Sequence, residues 1–202
     1  MRSFSAKVDR ILFQGQKPKN PVNISMTTSN IPAATRAFPT LQADITNWLQ
    51  RMTPRASDDI ARYAVTLTFD IDKMRAKSWS GVLEKREALT FAKQNFRAFR
   101  KHLNRAILKN AAIRYGRELS YVPVIEGQGR GKKIHYHCVI TTPAWVSKPV
   151  MLAAVKCAWL KTEFGDIQID VQTMYDDGWL TYMSKEAWTV RREIVDVDNV
   201  RL

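Results

Sequence analysis

Apolar residues recur along residues 57–188 with two different periods, which predicts alternating strands and helices. Tyr63–Asp70 alternates apolar side chains with threonines, and this period of two predicts a half-buried strand. From about Glu84 to Ala112, apolar residues recur every three or four positions and form a single stripe, which predicts an amphipathic helix. We therefore expect this region to pack strands against helices.

Three further strands and two further helices follow. The strands are predicted at 118–126, 133–141 and 167–174. One helix is predicted to begin near Ser147, where a capping residue precedes an early proline, and a last helix runs from about Asp177 to Trp188. The order β-α-β-β-α-β-α predicts an α+β fold, with a ferredoxin-like (RRM- or palm-like) antiparallel sheet and two helices on one face. The last helix is left over and is expected to cover part of the other face.

The N-terminal residues 1–55 have a different composition. They contain eight Lys and Arg residues against two Asp and no Glu, a balance of +6, and Ser, Thr, Asn and Pro are common between residues 14 and 39. Such a composition predicts a basic extension that is partly disordered. Apolar residues at helical spacing predict one helix within it, at about 40–52. We therefore expect a basic extension over 1–55 and a folded domain over 56–202.

Composition narrows the class of protein. The 202 residues are 45% hydrophobic with only 8 Gly and 8 Pro, which excludes a fully disordered or collagen-like chain. No apolar run approaches the ~18 residues of a membrane span, the N-terminus lacks the apolar stretch of a signal peptide, and two cysteines do not make a disulfide framework. We therefore expect a protein of the cytosol. The net charge of +13 indicates a polyanionic partner, with nucleic acid first and an anionic membrane surface second.

The tripeptide His135-Tyr136-His137 carries the clearest chemical signal. In a strand, residues two apart share a face, so both imidazoles would project together. The preceding strand ends in Glu126, and an antiparallel neighbour can bring that carboxylate beside the histidines. The pattern is typical of a two-histidine, one-carboxylate site for a divalent metal, with magnesium or manganese favoured and zinc possible. The alternative is a half-exposed histidine pair stacking on aromatic side chains, with Glu126 solvated at the strand end.

A second signal lies in the last helix. Tyr182 and Lys185 are three residues apart, which places a phenol and an ammonium on one helix face. A free phenol is a weak nucleophile at neutral pH, and a neighbouring ammonium can stabilise its anion and also neutralise charge on a phosphate. The alternative is an ordinary surface pair in which Tyr182 packs in the core.

These motifs, in this order, resemble the HUH endonuclease superfamily, and most closely its single-tyrosine rolling-circle replication initiator (Rep) proteins. The likeness covers residues 63–188: the strand containing Val65–Phe69, the His-Tyr-His strand and the Tyr-x-x-Lys helix. It implies that Tyr182 attacks a phosphodiester in single-stranded DNA at a replication origin, giving a 5′-phosphotyrosyl link and a free 3′-hydroxyl. It also implies that the catalytic-tyrosine helix lies on the sheet face opposite the other helices. The resemblance assigns Glu126, His135 and His137 to the divalent metal, and Tyr182 and Lys185 to catalysis.

The likeness has implications for partners and leaves alternatives open. The chain has no Gly-x-x-x-x-Gly-Lys-Ser/Thr motif, so a separate host helicase is implied. The resemblance also implies a protein of the host-cell cytoplasm, encoded by a plasmid or a virus. Glu186 stands where two-tyrosine initiators carry a second nucleophile, and Tyr175 is an alternative nucleophile. A single-tyrosine transposase, a relaxase and a non-catalytic nucleic-acid-binding module are the alternative functions.

The basic residues are expected to contact DNA. Residues 85–117 hold ten Lys and Arg against one Glu, and the glycine-rich hairpin after Glu126 adds further cations beside the predicted metal site. A solvated helix face is the alternative for the helical residues. The predicted DNA contacts are Thr66 and Thr68 on the sheet, Arg97, Arg100, Lys101 and Arg105 on the long helix, and Arg130, Lys132 and Lys133 in the hairpin.

Overall fold

The computed structural model describes residues 34–128, 132–185 and 194–202, with side chains from residue 42 onward. Helix α1 is the first described element. The helices are α1 (Ala34–Met52), α2 (Ile71–Lys77), α3 (Lys85–Leu108), α4 (Asn110–Tyr115), α5 (Lys148–Leu160) and α6 (Gly178–Met183), and the strands are β1 (Ile60–Phe69), β2 (Ser120–Glu126), β3 (His135–Pro143) and β4 (Gly165–Thr173).

The four strands form one antiparallel sheet in the order β2-β3-β1-β4. This order, with α3 connecting β1 to β2 and α5 connecting β3 to β4, confirms the predicted α+β, ferredoxin-like fold. The register sets His135 opposite Glu126 on one side and opposite Thr68 on the other, and His137 opposite Thr66. Side chains that the sequence spaces far apart therefore meet in neighbouring rows of the sheet.

One face of the sheet carries the main hydrophobic core. Helices α3 and α5 pack their apolar stripes on it, and the Phe96 ring lies 4.5 Å from that of Tyr136. The prediction that Ile134, Tyr136, Cys138 and Ile140 face the helices is confirmed, because all four belong to this core. The two histidines alternate with them and must project from the opposite face.

The second face is covered, whereas the sequence predicted that the histidine side would be open. Val122, Val124 and Val139 form a smaller apolar cluster there with α1, with α6 and with residues 194–200. The last helix does cover part of this face, as predicted. Residues 194–201 also line the outer edge of β2, where Tyr121 N–H donates to the Arg201 carbonyl over 2.8 Å.

Several boundaries differ from the sequence-based expectation. The helix predicted over 84–112 is interrupted at Lys109, which has φ of +50°. The short helix α2 was not predicted, and Asp70 caps it by accepting a hydrogen bond from Lys73 N–H. Of the last predicted helix, residues 178–183 are helical, and its predicted end beyond 185 lies outside the described residues.

The N-terminal region also has a described part. Helix α1 includes the helix predicted at 40–52 and begins earlier, while residues 1–33 of the expected basic extension lie outside the described residues. Trp48 and Leu49 of α1 are fully buried in the second-face cluster. Among the described helices, none has the length and apolar character needed to cross a membrane.

Candidate functional site

Three polar side chains meet on the second face of the sheet, where its apolar cover ends. Glu126 is the last residue of β2, and the register places it directly opposite His135, the first residue of β3. His137 follows two positions later on the same face. The strand pairing alone therefore assembles a carboxylate and two imidazoles, as the sequence predicted.

The three side chains lie close enough to share one ion. The Glu126 Oε2 atom is 3.4 Å from His137 Nε2 and 3.7 Å from His135 Nε2, and the two Nε2 atoms are 3.2 Å apart. Their potential ligand atoms all lie within 4.8 Å of one another. We call Glu126, His135 and His137 the acidic-histidine cluster.

The other nitrogen of each imidazole is held by the surrounding backbone and side chains. His135 Nδ1 donates to the Lys133 carbonyl over 2.9 Å, and His137 Nδ1 bonds the Thr66 hydroxyl over 3.0 Å. Partners of this kind fix the ring orientation and turn the Nε2 lone pairs inward. Thr66 was predicted to contact DNA, and in the structure its hydroxyl helps to orient His137.

A glycine permits the close turn beside Glu126. Gly127 has φ of +79°, and a Cβ built on it would lie 2.0 Å from the Lys133 carbonyl oxygen. The same carbonyl accepts the His135 hydrogen bond, so a bulkier residue at 127 would displace the group that orients the imidazole.

The Glu126 carboxylate is almost fully buried, with a side-chain exposure of 1%. Burial alone would raise its pKa, but contacts from His135, His137 and Lys185 outweigh burial and lower the pKa to about 2. Lys185 Nζ lies 3.0 Å from Glu126 Oε2. Burial alone would lower the pKa of Lys185, but its contacts with Tyr182 and Glu126 raise it, so the ammonium is retained beside the carboxylate.

The cluster fits a divalent cation. One carboxylate oxygen, Glu126 Oε1, is buried with no hydrogen-bond partner among the described residues. A buried, unpaired carboxylate oxygen is costly, and a bound cation would satisfy it. Two imidazole nitrogens with one carboxylate suit manganese or zinc, and also accept magnesium. The acidic-histidine cluster could therefore hold a metal ion.

Tyr182 and Lys185 of the α6 segment lie against this cluster. The Tyr182 ring is 5.2 Å from that of His137 and stacks on the Trp179 ring at 5.0 Å. Lys185 Nζ lies 3.4 Å from the Tyr182 ring centroid. Tyr182 is 45% exposed, so its phenol is accessible beside a cation site. Trp179 was named only as part of the predicted helix, and its edge contact with His137, at 5.1 Å, could not be read from spacing.

Two polar contacts fix α6 in place. At its start, Asp177 forms an ion pair of 2.8 Å with Arg62 of β1. At its end, the buried Ser184 hydroxyl lies 2.7 Å from the Thr46 hydroxyl of α1. The segment carrying Tyr182 and Lys185 is thus connected to both the sheet and the N-terminal helix. No sequence pattern indicated the Thr46 contact, because the two hydroxyls are 138 positions apart.

Tyr175, the alternative nucleophile, lies at the other end of the sheet. Its side chain is 88% exposed, and it is near enough to Tyr63 to raise the pKa of that phenol, an effect second to burial. Tyr63 precedes Thr68, the neighbour of His135, by five positions of β1, which corresponds to about 16 Å along a strand. The geometry therefore favours Tyr182 over Tyr175 as the tyrosine beside the cluster.

The hairpin cations lie near the cluster. Lys132 and Lys133 are exposed, and together with Arg75 they border a cleft of about 860 Å³ whose wall includes Gly127. Arg130 lies outside the described residues. Thr68, a further predicted DNA contact, donates its hydroxyl hydrogen to the Gln168 carbonyl over 2.8 Å, so it bonds within the sheet.

The prediction that Arg100 lies on the outer face of the long helix is wrong. Its side chain is 5% exposed and forms an ion pair of 2.8 Å with Glu118, and its guanidinium also donates to Asn199. These partners come from the start of β2 and from the C-terminal segment, which a helical periodicity cannot reveal. Arg97, Lys101 and Arg105 are exposed, as predicted.

The chain matches a family of replication proteins. A family model for replication-associated proteins, of the ORF2/gene II protein type, matches residues 62–187, more than half of the 202-residue chain. The matched segment contains the acidic-histidine cluster, Tyr182 and Lys185. No curated protein and no solved structure matches the chain significantly.

Proposed function

This chain belongs to the ORF2/gene II protein family of replication-associated proteins, and we propose that within it the protein is a metal-dependent, single-tyrosine DNA endonuclease of the HUH type. It nicks and rejoins single-stranded DNA at a replication origin and so initiates rolling-circle replication. The observation that carries the proposal is the meeting of a cation-binding cluster, a phenol ring and an ammonium at one place on the second face.

The acidic-histidine cluster has the role of holding the cation. Glu126, His135 and His137 would bind magnesium or manganese, with zinc a third option, and the bound ion supplies Lewis-acid polarisation of a phosphate oxygen. Thr66 and the Lys133 carbonyl keep the two imidazoles oriented. Burial of Glu126 keeps competing water from its carboxylate.

Tyr182 has the role of nucleophile. Its phenol oxygen attacks the scissile phosphorus after losing its proton to solvent, a new P–O bond to tyrosine forms, and the P–O3′ bond breaks. The departing 3′ oxygen takes up a proton and becomes a free 3′-hydroxyl, which can prime synthesis. The reverse attack by a 3′-hydroxyl restores the phosphodiester and releases the tyrosine, which is the joining step.

Lys185 has the role of placing positive charge beside the reacting groups. Its ammonium lies 3.4 Å from the centre of the Tyr182 ring and 3.0 Å from Glu126 Oε2. From there it favours the phenolate form of the tyrosine and offsets charge that develops on the phosphate.

The cleft beside the hairpin is the proposed path of the single strand. Lys132 and Lys133 on its wall would contact phosphates next to the cluster. The strand must be available unpaired, and because the chain has no nucleotide-binding Gly-x-x-x-x-Gly-Lys motif, we propose that a separate helicase supplies it.

The test is the formation of a covalent protein–DNA adduct. The full chain is incubated with manganese and a pool of origin-strand oligonucleotides, and the products are separated on a denaturing gel. We expect an adduct with the unmodified protein and with Tyr175→Phe, and none with Tyr182→Phe, because only the attacking oxygen is lost. Binding of the oligonucleotide should be nearly unchanged in Tyr182→Phe.

Two outcomes would contradict the proposal. An adduct that persists in Tyr182→Phe and disappears in Tyr175→Phe would move the nucleophile to the other end of the sheet. An adduct that forms equally well in EDTA would remove the metal from the reaction.

A further inference from the structure

The outer face of α3 carries a row of unpaired cations. Arg97, Lys101 and Arg105 are spaced four residues apart, which aligns them along one side of the helix. All three are exposed, and none forms an ion pair with another residue in the described part of the chain. Lys93 and Arg100, by contrast, are paired with Asp198 and Glu118.

The row continues past the end of α3. The break at Lys109 redirects the chain into α4, and a cavity of about 450 Å³ lies between the two helices. Lys101, Arg105 and Arg117 line that cavity. We call the exposed cations of this region the helical-layer basic surface: Arg97, Lys101, Arg105, Lys109, Arg114 and Arg117.

This surface lies on the far side of the sheet from the acidic-histidine cluster. The inner face of α3 contacts Tyr136, which alternates along β3 with His135 and His137. The thickness of a helix, about 10 Å, and the sheet itself therefore separate the basic surface from the cluster. The few nucleotides around a phosphate held at the cluster cannot reach both.

We propose that the helical-layer basic surface binds the phosphate backbone of a second DNA segment, and that this segment is duplex. The proposal rests on the proposed function, since it takes DNA as the substrate and the duplex as the DNA flanking the nicked strand. Duplex DNA presents one negative charge per ~1.7 Å of its axis, which suits a straight row of cations on a 24-residue helix.

Duplex is favoured over single-stranded DNA and over a membrane by the side chains of α3. Surfaces for single strands stack bases on exposed aromatic rings, whereas Phe96 and Phe99 of α3 are fully buried in the core. Helices that bind membranes insert an apolar face, and the apolar face of α3 is already packed on the sheet. The exposed charge of the surface is therefore available to phosphates alone.

The test measures binding of a 20-base-pair duplex of arbitrary sequence as a function of salt, by fluorescence anisotropy in EDTA. The variant Arg97→Gln/Lys101→Gln/Arg105→Gln is compared with the unmodified chain. Each lost phosphate contact should reduce the log–log salt slope by about 0.9, so loss of all three should reduce it by about 2.7. Affinity for the duplex should fall about tenfold or more at low salt.

A matched control removes the same charge elsewhere. Arg55, Lys156 and Lys161 are exposed and unpaired among the described residues, and Arg55→Gln/Lys156→Gln/Lys161→Gln should leave the slope nearly unchanged. An equal reduction in both variants, or no reduction in the first, would overturn the proposal. So would loss of binding to phosphatidylglycerol vesicles in the first variant with duplex binding intact. Because the assay needs neither metal nor cleavage, absence of a covalent adduct would contradict the proposed nuclease without deciding this result.

Discussion

The two faces of the sheet use the same strands for different purposes. Tyr136, Cys138 and Ile140 of β3 lie in the main core beneath α3 and α5, while His135 and His137, which alternate with Tyr136, project from the other face. The first face is closed by two amphipathic helices. On the second, α1, α6 and residues 194–200 cover the middle of the sheet and leave the acidic-histidine cluster where that cover ends. Alternation along one strand thus separates stability from chemistry.

The second face also shows how charged groups can be buried. Glu126 is 1% exposed, yet three nitrogen groups surround it, and contacts with them lower its pKa to about 2 although burial opposes this. A buried charge without partners would destabilise the fold. The cluster is therefore mutually dependent, whereas each apolar residue of the first face contributes through its own packing.

The comparison is tested most strongly by adjacent residues of β3. Tyr136→Ala removes a fully buried ring from the main core and should lower the free energy of unfolding by about 3–5 kcal/mol. His135→Ala, whose side chain is 25% exposed, should lower it by about 1 kcal/mol or less. Urea denaturation of the two variants measures both. Equal costs would show that the two faces are not divided in this way.

The next largest effect concerns metal affinity. His135→Ala and His137→Ala should each weaken manganese binding by about tenfold or more, because each removes one of three proposed ligands. Isothermal titration measures the affinity. His102 is the third histidine of the chain, lies on α3 and provides the control, since His102→Ala should bind manganese as the unmodified protein does. Unchanged affinity in both cluster variants would refute the metal assignment.

The elements that the sequence predicted well are those governed by local periodicity. The alternation of β1 and β3 placed Thr66, His135 and His137 on one face, and the strand order followed from the order of elements along the chain. Glu126 could be placed beside His135 because a hairpin joins neighbouring strands, and pairing of their ends follows from that connection.

Contacts between distant segments could not be predicted in this way. Arg100 has the spacing of an outer-face residue, but Glu118 and Asn199 draw it into a buried position. The covering of the second face depends on α1 and on residues 194–200, which lie at opposite ends of the chain. The Tyr182 environment was only half predicted: Lys185 follows from helical spacing, but the contacts with His137 and Thr46 depend on how α6 docks.

The smallest expected effect concerns that docking. Thr46→Val removes the hydroxyl that bonds Ser184 at the end of α6, which should cost about 1 kcal/mol and slow adduct formation a few-fold. Manganese affinity should stay the same, because no ligand is touched. Thr90→Val on α3 is the matched control, since both threonines bond the carbonyl four residues earlier and only Thr46 contacts α6. Equal rates for the two variants would show that α1 does not position the tyrosine.

The central claim is that the second face of the sheet holds a metal ion beside Tyr182. Anomalous diffraction from crystals grown with manganese tests it most directly. We expect one strong manganese peak about 2 Å from His135 Nε2, His137 Nε2 and a Glu126 carboxylate oxygen. A manganese peak at another place, or an acidic-histidine cluster with no peak at saturating manganese, would contradict it.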